Sequence, residues 1–259
     1  MTDIALDDRG FTLGHGLFET VLFVDGRPDY WDAHLERLER GCRALGLPTP
    51  ERARMVAAAT DALYAEGKPK RCAIRLNWSA GPGDRGLDAP QVIDPRLTAS
   101  ASSLGAPLGP ARLITAQVRR NDRSPAARLK TLSYLDNVLA RQEARAVGAD
   151  EALMLNTAGE VAGAAAANVF WLRHDEVFTP DLACGVLDGI IRREVIAACY
   201  ALGLPVHEVF ANVGRLAGAP MFITNSLNGL RTVTSLDGRE LPASPLVAKI
   251  AKQVSRVKK

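Results

Sequence analysis

Apolar residues follow two different periods in the first hundred residues of the chain. The run from Leu17 to Val24 is almost continuously apolar and ends at Asp25-Gly26, which predicts a strand followed by a hairpin turn. A helical spacing of apolar residues then predicts helices over 31–45 and 51–65. Residues 71–78 alternate between apolar and polar types, as a half-buried strand does.

The rest of the chain mixes the same two patterns. Two short strands over 151–155 and 168–172 are predicted to join through the turn Asn156-Thr157-Ala158-Gly159. The other predicted elements are strands at 112–118 and 221–224, helices at 189–201 and 246–257, and a hairpin turn at 236–239. A further helix is predicted over 132–146, with an apolar face made of Leu132, Leu135, Val138 and Leu139.

The stretch from Leu97 to Pro110 shows neither period. It is rich in Ala, Ser, Gly and Pro, which is the composition of a linker. Strands and helices alternate on both sides of it, which predicts two α/β or α+β domains that meet near residues 100–110. A ligand cleft is expected where such domains meet.

Charge and composition narrow the class of function. The 32 basic and 29 acidic residues give a net charge of +3, which does not favour a nucleic-acid binder but is compatible with one basic pocket. No apolar run approaches the roughly 20 residues that cross a bilayer, and the acidic N-terminus lacks a signal segment. We therefore expect a cytoplasmic protein without membrane contact. The four cysteines and four histidines lack zinc-ligand spacing, so reduced thiols and no metal site are expected.

One glycine-rich segment imitates a dinucleotide-binding motif. Residues 81–86 read Gly-Pro-Gly-Asp-Arg-Gly and follow a predicted strand. The motif requires a helix directly afterwards, because the helix N-terminus binds the pyrophosphate. Pro90 and Pro95 interrupt any helix here, so the segment is interpreted as a flexible loop that carries Arg85.

Four other segments place polar groups at the ends or on the surface of predicted elements. Lys130 stands where a strand gives way to a helix, and taken alone it is either a surface lysine or a reactive amine. Residues 189–191 open a helix whose backbone amides favour a phosphate, although an ordinary capped helix looks the same. Arg37 is either a solvated helix charge or a phosphate ligand. Residues 224–229 bring hydroxyls and amides together directly after a strand.

The order of these segments is more informative than any one of them. The chain carries Asp8-Arg9-Gly10, Gly14-His15-Gly16-Leu17-Phe18-Glu19, His34-x-x-Arg37, Lys130-x-Leu-x-Tyr-Leu-x-Asn, Ala166-Ala167-Asn168-Val169-Phe170, Gly189-Ile190-x-Arg192 and Thr224-Asn225-Ser226-Leu227. This ordered set resembles the fold-type IV pyridoxal-phosphate enzymes over nearly the whole chain. The family includes D-amino-acid aminotransferases, branched-chain aminotransferases and 4-amino-4-deoxychorismate lyases.

The resemblance implies a two-domain α/β (α+β) enzyme that binds pyridoxal 5'-phosphate, acts on a small molecule and forms a homodimer. It implies a small N-terminal α/β domain over 1–104, a linker over 105–110 and a larger C-terminal cofactor-binding domain over 111–259. Lys130 matches the lysine that carries the cofactor as a Schiff base and shuttles protons. The other expected cofactor-binding residues are Arg37, Gly189, Ile190, Ile191, Asn225 and Ser226, with the amides of Ile190 and Ile191 in the phosphate cup.

Two positions depart from the family pattern. A glutamate that holds the pyridine nitrogen protonated usually stands five residues before the asparagine matched by Asn168, and Gly163 occupies that position here. The nearest acid is Glu160. Without the acid, the cofactor ring is expected to be a weaker electron sink. His15 also stands where an aspartate is common.

The lyase branch of the family fits the sequence better than the transaminases do. Phe170-Trp171 and residues 223–231 are similar to bacterial aminodeoxychorismate lyases, and Arg85 lacks the histidine that follows it by two residues in D-amino-acid aminotransferases. The expected products are p-aminobenzoate and pyruvate, with Arg85, Arg231 and Phe18 as candidate substrate contacts. The alternatives are a class-IV aminotransferase of D-amino or branched-chain amino acids and a non-catalytic relative that binds the cofactor.

Overall fold

The computed structural model describes residues 4–257, which divide into two compact units. Unit 1 comprises the chain up to Ala106 together with Leu129–Ser133, and unit 2 comprises the remainder. The short segment that contains Lys130 therefore groups with unit 1, although it lies inside the range predicted for the C-terminal domain. Its strand-like pairing with the start of the first long strand explains this, because Leu132 N donates to Gly16 O at 2.9 Å.

Unit 1 is a four-stranded antiparallel sheet with two helices packed on one face. Leu35, Met55 and Ile74 meet in the core between the helices and the sheet. The sheet order is β2-β1-β3-β4. The elements are α1 (Arg9–Leu13), β1 (Gly16–Val24), β2 (Arg27–Pro28), α2 (Trp31–Leu45), α3 (Arg52–Ala65), β3 (Arg71–Ser79) and β4 (Arg96–Ser103).

The predicted elements of unit 1 are confirmed, with one strand missed. The predictions at 17–24, 31–45, 51–65 and 71–78 coincide with β1, α2, α3 and β3 to within one residue at each end. Most of β4 lies in the stretch interpreted as a linker, which was wrong. Its small residues have little strand propensity, and its hydrogen bonds to β3 along eight residues hold it in the sheet. The signal that was overlooked is a weak alternation in which Leu97, Ala99 and Ala101 pack on the core.

Unit 2 is built on a nine-stranded mixed sheet. The sheet order is β10-β9-β8-β11-β12-β5-β6-β7, with β13 paired to β12. The elements are β5 (Ala111–Arg120), α4 (Pro125–Arg128), α5 (Leu135–Ala146), β6 (Glu151–Asn156), β7 (Val161–Ala164), β8 (Asn168–Arg173), β9 (Glu176–Pro180), α6 (Ile190–Ala201), β10 (Val206–Val209), β11 (Met221–Asn225), β12 (Gly229–Leu236), β13 (Arg239–Glu240) and α7 (Pro245–Val257). Both units mix strands and helices, which confirms the α/β fold class.

Two expectations for unit 2 were wrong. The turn after β6 leads into β7, a four-residue strand that was not predicted, and only then into β8. The face of α5 that packs on the sheet carries Ala140 and Ala144, whereas three of the four residues expected there, Leu135, Val138 and Leu139, are exposed. Leu132 precedes the helix. None of the helices within residues 4–257 combines the length and apolar character that crossing a bilayer requires.

A fully buried carboxylate connects β1 to α2 in unit 1. Glu19 is 1% exposed, and His34 Nδ1 lies 2.6 Å from its Oε2. Arg37 donates from Nε to Oε1 at 2.8 Å and from Nη2 to Oε2 at 2.6 Å. Burial by itself raises the pKa of Glu19, but the Arg37 and His34 interactions outweigh it and set that pKa to about 2. Burial lowers the pKa of His34, so its neutral ring donates one hydrogen bond to Glu19.

This arrangement makes the stability of the protein sensitive to acid. The pKa of Glu19 falls from an ordinary 4.5 to about 2 on folding, so its contribution is complete above pH 4.5 and is lost as the pH falls towards 2. Glu19→Gln is expected to lower the free energy of unfolding at pH 7 by about 3 kcal/mol, because Arg37 loses its partner. It should also flatten the stability profile between pH 4.5 and 2.

Urea unfolding of Glu19→Gln across this pH range measures both effects. The matched control is Glu36→Gln, which changes an exposed glutamate of α2 next to Arg37 in the chain and should retain the parent profile. A parent-like acid limb in Glu19→Gln would contradict the assignment.

Candidate active site

Lys130 is held beside an aromatic ring in unit 1. Its Nζ lies 4.1 Å from the centroid of the Phe18 ring. The Phe18 amide donates to the Lys130 carbonyl at 2.8 Å, so the two residues are fixed by backbone as well as by side chain. The neighbouring Thr131 hydroxyl is buried and has no hydrogen-bond partner in the described structure. An amine and a buried hydroxyl thus lie next to each other in the chain beside the sheet.

A second cation contacts the same ring. The Cζ of Arg75 lies 3.7 Å from the centroid of Phe18, and its Nε donates to Asn77 Oδ1 at 2.8 Å. Asn77 is held in turn by a bond from its Nδ2 to Thr98 Oγ1 at 3.1 Å. Two positive groups next to one ring concentrate charge where an anion would be stabilised. Arg75 is not among the residues predicted from the sequence; its signal is the alternation of polar residues along β3.

A cavity of about 300 Å³ opens on this polar face of the unit 1 sheet. Arg75 and Arg96 supply positive charge to it, and Phe11 and Leu132 supply apolar surface. Its other polar lining includes Asp8, Asn77, Ser79 and Thr98, and the Asp8 carboxylate accepts from the Ser79 hydroxyl at 2.8 Å. A lining with guanidinium groups and apolar patches suits a small anionic molecule.

The other predicted residues of unit 1 have different surroundings. Arg37 lies on α2 and forms the bidentate pair with Glu19, which fixes the orientation of its guanidinium. Arg85 is exposed on the loop between β3 and β4. Arg9 donates to the carbonyls of Gly86 and Leu87, so this loop is anchored directly beyond Arg85.

His15 is a half-buried neighbour of Arg9 rather than a member of the Lys130 cluster. Its Nδ1 accepts from Arg9 Nε at 3.4 Å. Burial and the adjacent Arg9 charge lower the pKa of His15. The residue therefore supports the anchor of the loop that carries Arg85.

In unit 2, the start of α6 has the features of a phosphate site. Gly189 is the N-cap and provides no side-chain hydrogen bond to the amides of the first turn. A Cβ on Gly189 would lie 1.9 Å from Asn168 Oδ1, so any larger residue would require Asn168 or the start of α6 to shift. The side chain of Asn168 is fixed because its Nδ2 donates to Leu187 O at 2.8 Å. The amides of Ile190 and Ile191 can therefore donate to an anion, with support from the dipole of a 12-residue helix.

A buried hydroxyl adds to this site. Thr224 pairs with Asn168 across β11 and β8, so both side chains project from the same face of the sheet. The Thr224 Oγ1 is buried, and within residues 4–257 it has no hydrogen-bond partner. An orphaned hydroxyl beside the glycine start of a helix fits the oxygen atoms of a phosphate ester.

Ser226 and Asn225, two further predicted residues of unit 2, have different surroundings. Ser226 follows Thr224 by two residues and is half-buried. Asn225 closes its own turn, because its Oδ1 accepts from the amides of Leu227 and Asn228. Its Nδ2 donates to Ala166 O at 3.1 Å. The structure therefore gives the Asn225 side chain a positioning task in place of the predicted cofactor contact.

Arg231 also differs from its predicted role as a substrate contact. Its side chain is buried, its Nε donates to Gly109 O at 2.8 Å, and its Nη2 donates to Pro110 O at 3.4 Å. These bonds hold the chain segment that leads into β5. The guanidinium is thus occupied with the backbone, and sequence position alone could not reveal this.

Gly163 lies on β7 and has a backbone that suits glycine. Its φ is +119°, a region that L side chains rarely adopt, and a Cβ would lie 3.3 Å from Ala167 O. Glu160, the nearest acid, accepts from Asn156 Nδ2 at 2.8 Å within the turn that precedes β7. Its carboxylate is therefore engaged in that turn.

The four cysteines are buried and unpaired. Burial raises the pKa of Cys42 and of Cys199 to about 11, and burial with the nearby Glu160 raises that of Cys184 to about 12. These thiols stay protonated at neutral pH. In the part of the chain that the structure describes, no three side chains of the His, Cys, Asp or Glu type gather as metal ligands would.

Comparisons with known proteins identify the family of this chain. Residues 16–236 match the family described as Amino-transferase class IV. An aminodeoxychorismate lyase from Bacillus subtilis (strain 168) is 33% identical over 205 residues, which cover 76% of this chain and 69% of that protein.

Two solved structures are similar over almost the whole chain. A putative 4-amino-4-deoxychorismate lyase from Legionella pneumophila has a TM-score of 0.91 and 30% identity, covering 99% of this chain and 96% of that one. A hypothetical aminotransferase from Mycobacterium tuberculosis, in its PLP-bound form, has a TM-score of 0.86 and 26% identity, covering 100% and 94%. With the family match over most of its length, this chain belongs to the class IV aminotransferases, enzymes that use pyridoxal phosphate.

Proposed function

We propose that the protein is a 4-amino-4-deoxychorismate lyase that releases p-aminobenzoate and pyruvate. The observation that carries the proposal is the contact of Lys130 and Arg75 with the one ring of Phe18. The substrate has an amine that must react with the lysine-bound cofactor. It also has carboxylates that a cationic side chain must bind. The similarity to the two lyases also supports this branch.

Lys130 is the proposed site of covalent cofactor attachment and the proposed base. When bound, pyridoxal phosphate withdraws electrons from the substrate carbon that bears the amine, so that carbon becomes more acidic. The amine of Lys130, once exchanged for the substrate amine, would take the proton from C4 of the substrate ring. Loss of the enolpyruvyl group as pyruvate then leaves an aromatic product.

We assign the cofactor phosphate to the start of α6. The amides of Ile190 and Ile191 would donate to it, together with the hydroxyls of Thr224 and Ser226. Arg37 is the proposed cationic ligand, oriented by its bidentate pair with Glu19. Substrate carboxylate binding is assigned to Arg75 in preference to Arg231, because Arg231 is bonded to backbone carbonyls.

An aminotransferase is the second candidate, supported by the similarity to the hypothetical aminotransferase from Mycobacterium tuberculosis. The two reactions differ in their need for the ring nitrogen. A transaminase must move a proton to the cofactor, so it depends on a strong electron sink. Gly163 provides no acid for the ring, and a reaction that gains aromatic stabilisation in its product tolerates this better.

We also propose that the enzyme is a homodimer. Leu135, Val138 and Leu139 are 66%, 47% and 40% exposed along one side of α5. Large apolar residues grouped on a helix are favoured at subunit interfaces. Phe11 on α1 is 65% exposed and would also be stabilised if a partner subunit buried it.

Product analysis distinguishes the two candidates. With aminodeoxychorismate, the enzyme is expected to form equal amounts of p-aminobenzoate and pyruvate without a keto acid. Lys130→Ala should lower this rate by at least about a thousandfold. The control Lys68→Ala changes an exposed lysine and should leave the rate unchanged. Fast transfer from D-alanine to 2-oxoglutarate with no p-aminobenzoate would reject the lyase assignment.

Arg75→Gln tests the carboxylate contact. We expect kcat/KM for aminodeoxychorismate to fall by about 10- to 100-fold, the scale of one hydrogen bond to a charged group, with the cofactor dissociation constant unchanged. Arg71→Gln is the matched control, since Arg71 lies four residues earlier on the same strand and bonds Gly105 O. Equal losses in both variants would point to the sheet and not to the substrate.

Gly189→Ala tests the phosphate site. The added Cβ would lie 1.9 Å from Asn168 Oδ1, so the start of α6 must shift and misdirect its amides. The dissociation constant of pyridoxal phosphate, measured by fluorescence titration, should rise about tenfold or more, equivalent to about 1.4 kcal/mol. Gly105→Ala adds a methyl group in open space and serves as the control. An unchanged constant in Gly189→Ala would place the phosphate elsewhere.

A further inference from the structure

Arg120 is a half-buried cation at the carboxyl end of β5 in unit 2. Its Nη2 lies 3.3 Å from Met154 Sδ, and its Nη1 donates to Gly185 O at 3.3 Å. Both contacts are long and both partners are neutral. Burial lowers the pKa of Arg120, which Tyr134 and Asp136 only partly oppose.

Three other arginines have carboxylate partners: Arg37 with Glu19, Arg141 with Glu151, and Arg192 with Glu208. The buried Arg9 and Arg231 instead donate to backbone carbonyls at 2.8 Å, whereas both Arg120 contacts are at 3.3 Å. Across residues 4–257, no carboxylate lies within 4 Å of the Arg120 guanidinium. A desolvated charge without a counter-charge is costly, and such groups are commonly retained for a ligand.

The position of Arg120 relates it to the missing acid of the family pattern. Met154, which Arg120 contacts, is the antiparallel partner of Gly163 on β7. Cross-strand partners project from the same face of a sheet, and Ala165 packs with Met154 on that face. The guanidinium therefore lies beside the space into which a side chain at position 163 would project.

We propose that Arg120 makes this wall of the cofactor site positive and so holds the pyridine nitrogen of the bound cofactor unprotonated. The proposal rests on the cofactor site assigned above, in which Gly163 stands where similar enzymes carry an acid. A guanidinium has only N–H donors, so a ring nitrogen that faces it must act as an acceptor. A pyridinium next to a second cation is also disfavoured by like-charge repulsion.

The ionisable groups around Arg120 do not supply a substitute acid. Asp136 is exposed in the first turn of α5. Asp122, in the loop after β5, accepts bonds from the amide and hydroxyl of Thr157 at 3.2 and 2.7 Å. Glu160 is bonded to Asn156. Burial and the nearby Glu160 keep the Cys184 thiol protonated at pH 7, so Arg120 sets the sign of the charge at this wall.

The ring nitrogen can be observed directly with cofactor labelled by ¹⁵N at the pyridine position. In the parent holoenzyme at pH 7, its ¹⁵N resonance should lie in the range of an unprotonated pyridine and show no one-bond coupling to a proton. Arg120→Gln should raise the pKa of this nitrogen by about one unit, because the like charge is removed. Arg119→Gln is the control, since Arg119 is the exposed neighbour of Arg120 on β5 and should leave the resonance unchanged.

A second variant adds an acid to the same wall. Met154→Glu places a carboxylate on the face shared with Gly163, without the positive φ that strains Gly163→Glu. The new carboxylate would pair with Arg120, whose Nη2 lies 3.3 Å from Met154 Sδ, so the pKa of the ring nitrogen in this holoenzyme should rise as it does in Arg120→Gln. If Met154→Glu does not fold, the comparison of Arg120→Gln with Arg119→Gln still tests whether Arg120 lowers the pKa of the ring nitrogen.

The spectrum and the product assay separate this inference from the proposed function. A protonated ring nitrogen in a parent enzyme that forms p-aminobenzoate would overturn the inference and leave the lyase standing. An unprotonated nitrogen in an enzyme without lyase activity would reject the proposed lyase function and leave this inference standing. A ring-nitrogen pKa that Arg120→Gln and Arg119→Gln leave equally unchanged would also overturn it.

Discussion

A carboxylate with 1% exposure needs donors on both oxygens, and for Glu19 these come from successive turns of α2. The three bonds join α2 to β1 and fix the direction of the Arg37 guanidinium. Because side chains alternate along a strand, the residue before Glu19 must project from the opposite face. Phe18 is therefore placed on the polar face by the same interaction that buries Glu19 against the helix.

The polar face then follows from the placement of that ring. Phe18 contacts Lys130 and Arg75, and its own amide bonds the Lys130 carbonyl. The negative face of an aromatic ring attracts cations, so Phe18 makes it less costly to hold Lys130 and Arg75 close together. The placement of this one ring therefore decides where the amine and the guanidinium of this face lie.

The sequence predicts those features of this site that are local. The ends of α2 follow from its helical spacing, and Lys130, Arg37 and the start of α6 follow from ordered motifs. Features that depend on pairing across the sheet do not follow. The strands β4 and β7 consist largely of small residues, so they lack the alternation of large apolar residues that predicts a strand. The buried face of α5 consists of alanines, which a search for large apolar residues overlooks. Arg75 acquires its importance only through its contact with Phe18, a residue 57 positions away.

The departure at Gly163 has a different meaning once its surroundings are known. Replacing an acid by glycine removes a charge, and on its own this leaves a neutral wall where water could hydrogen-bond the ring nitrogen. A desolvated arginine next to the gap changes the sign of the wall instead. Such a site opposes the build-up of positive charge on the ring and weakens stabilisation of a substrate carbanion. A reaction that ends in an aromatic product depends least on that stabilisation. The positive charge of Arg120 therefore favours the lyase reaction over transamination.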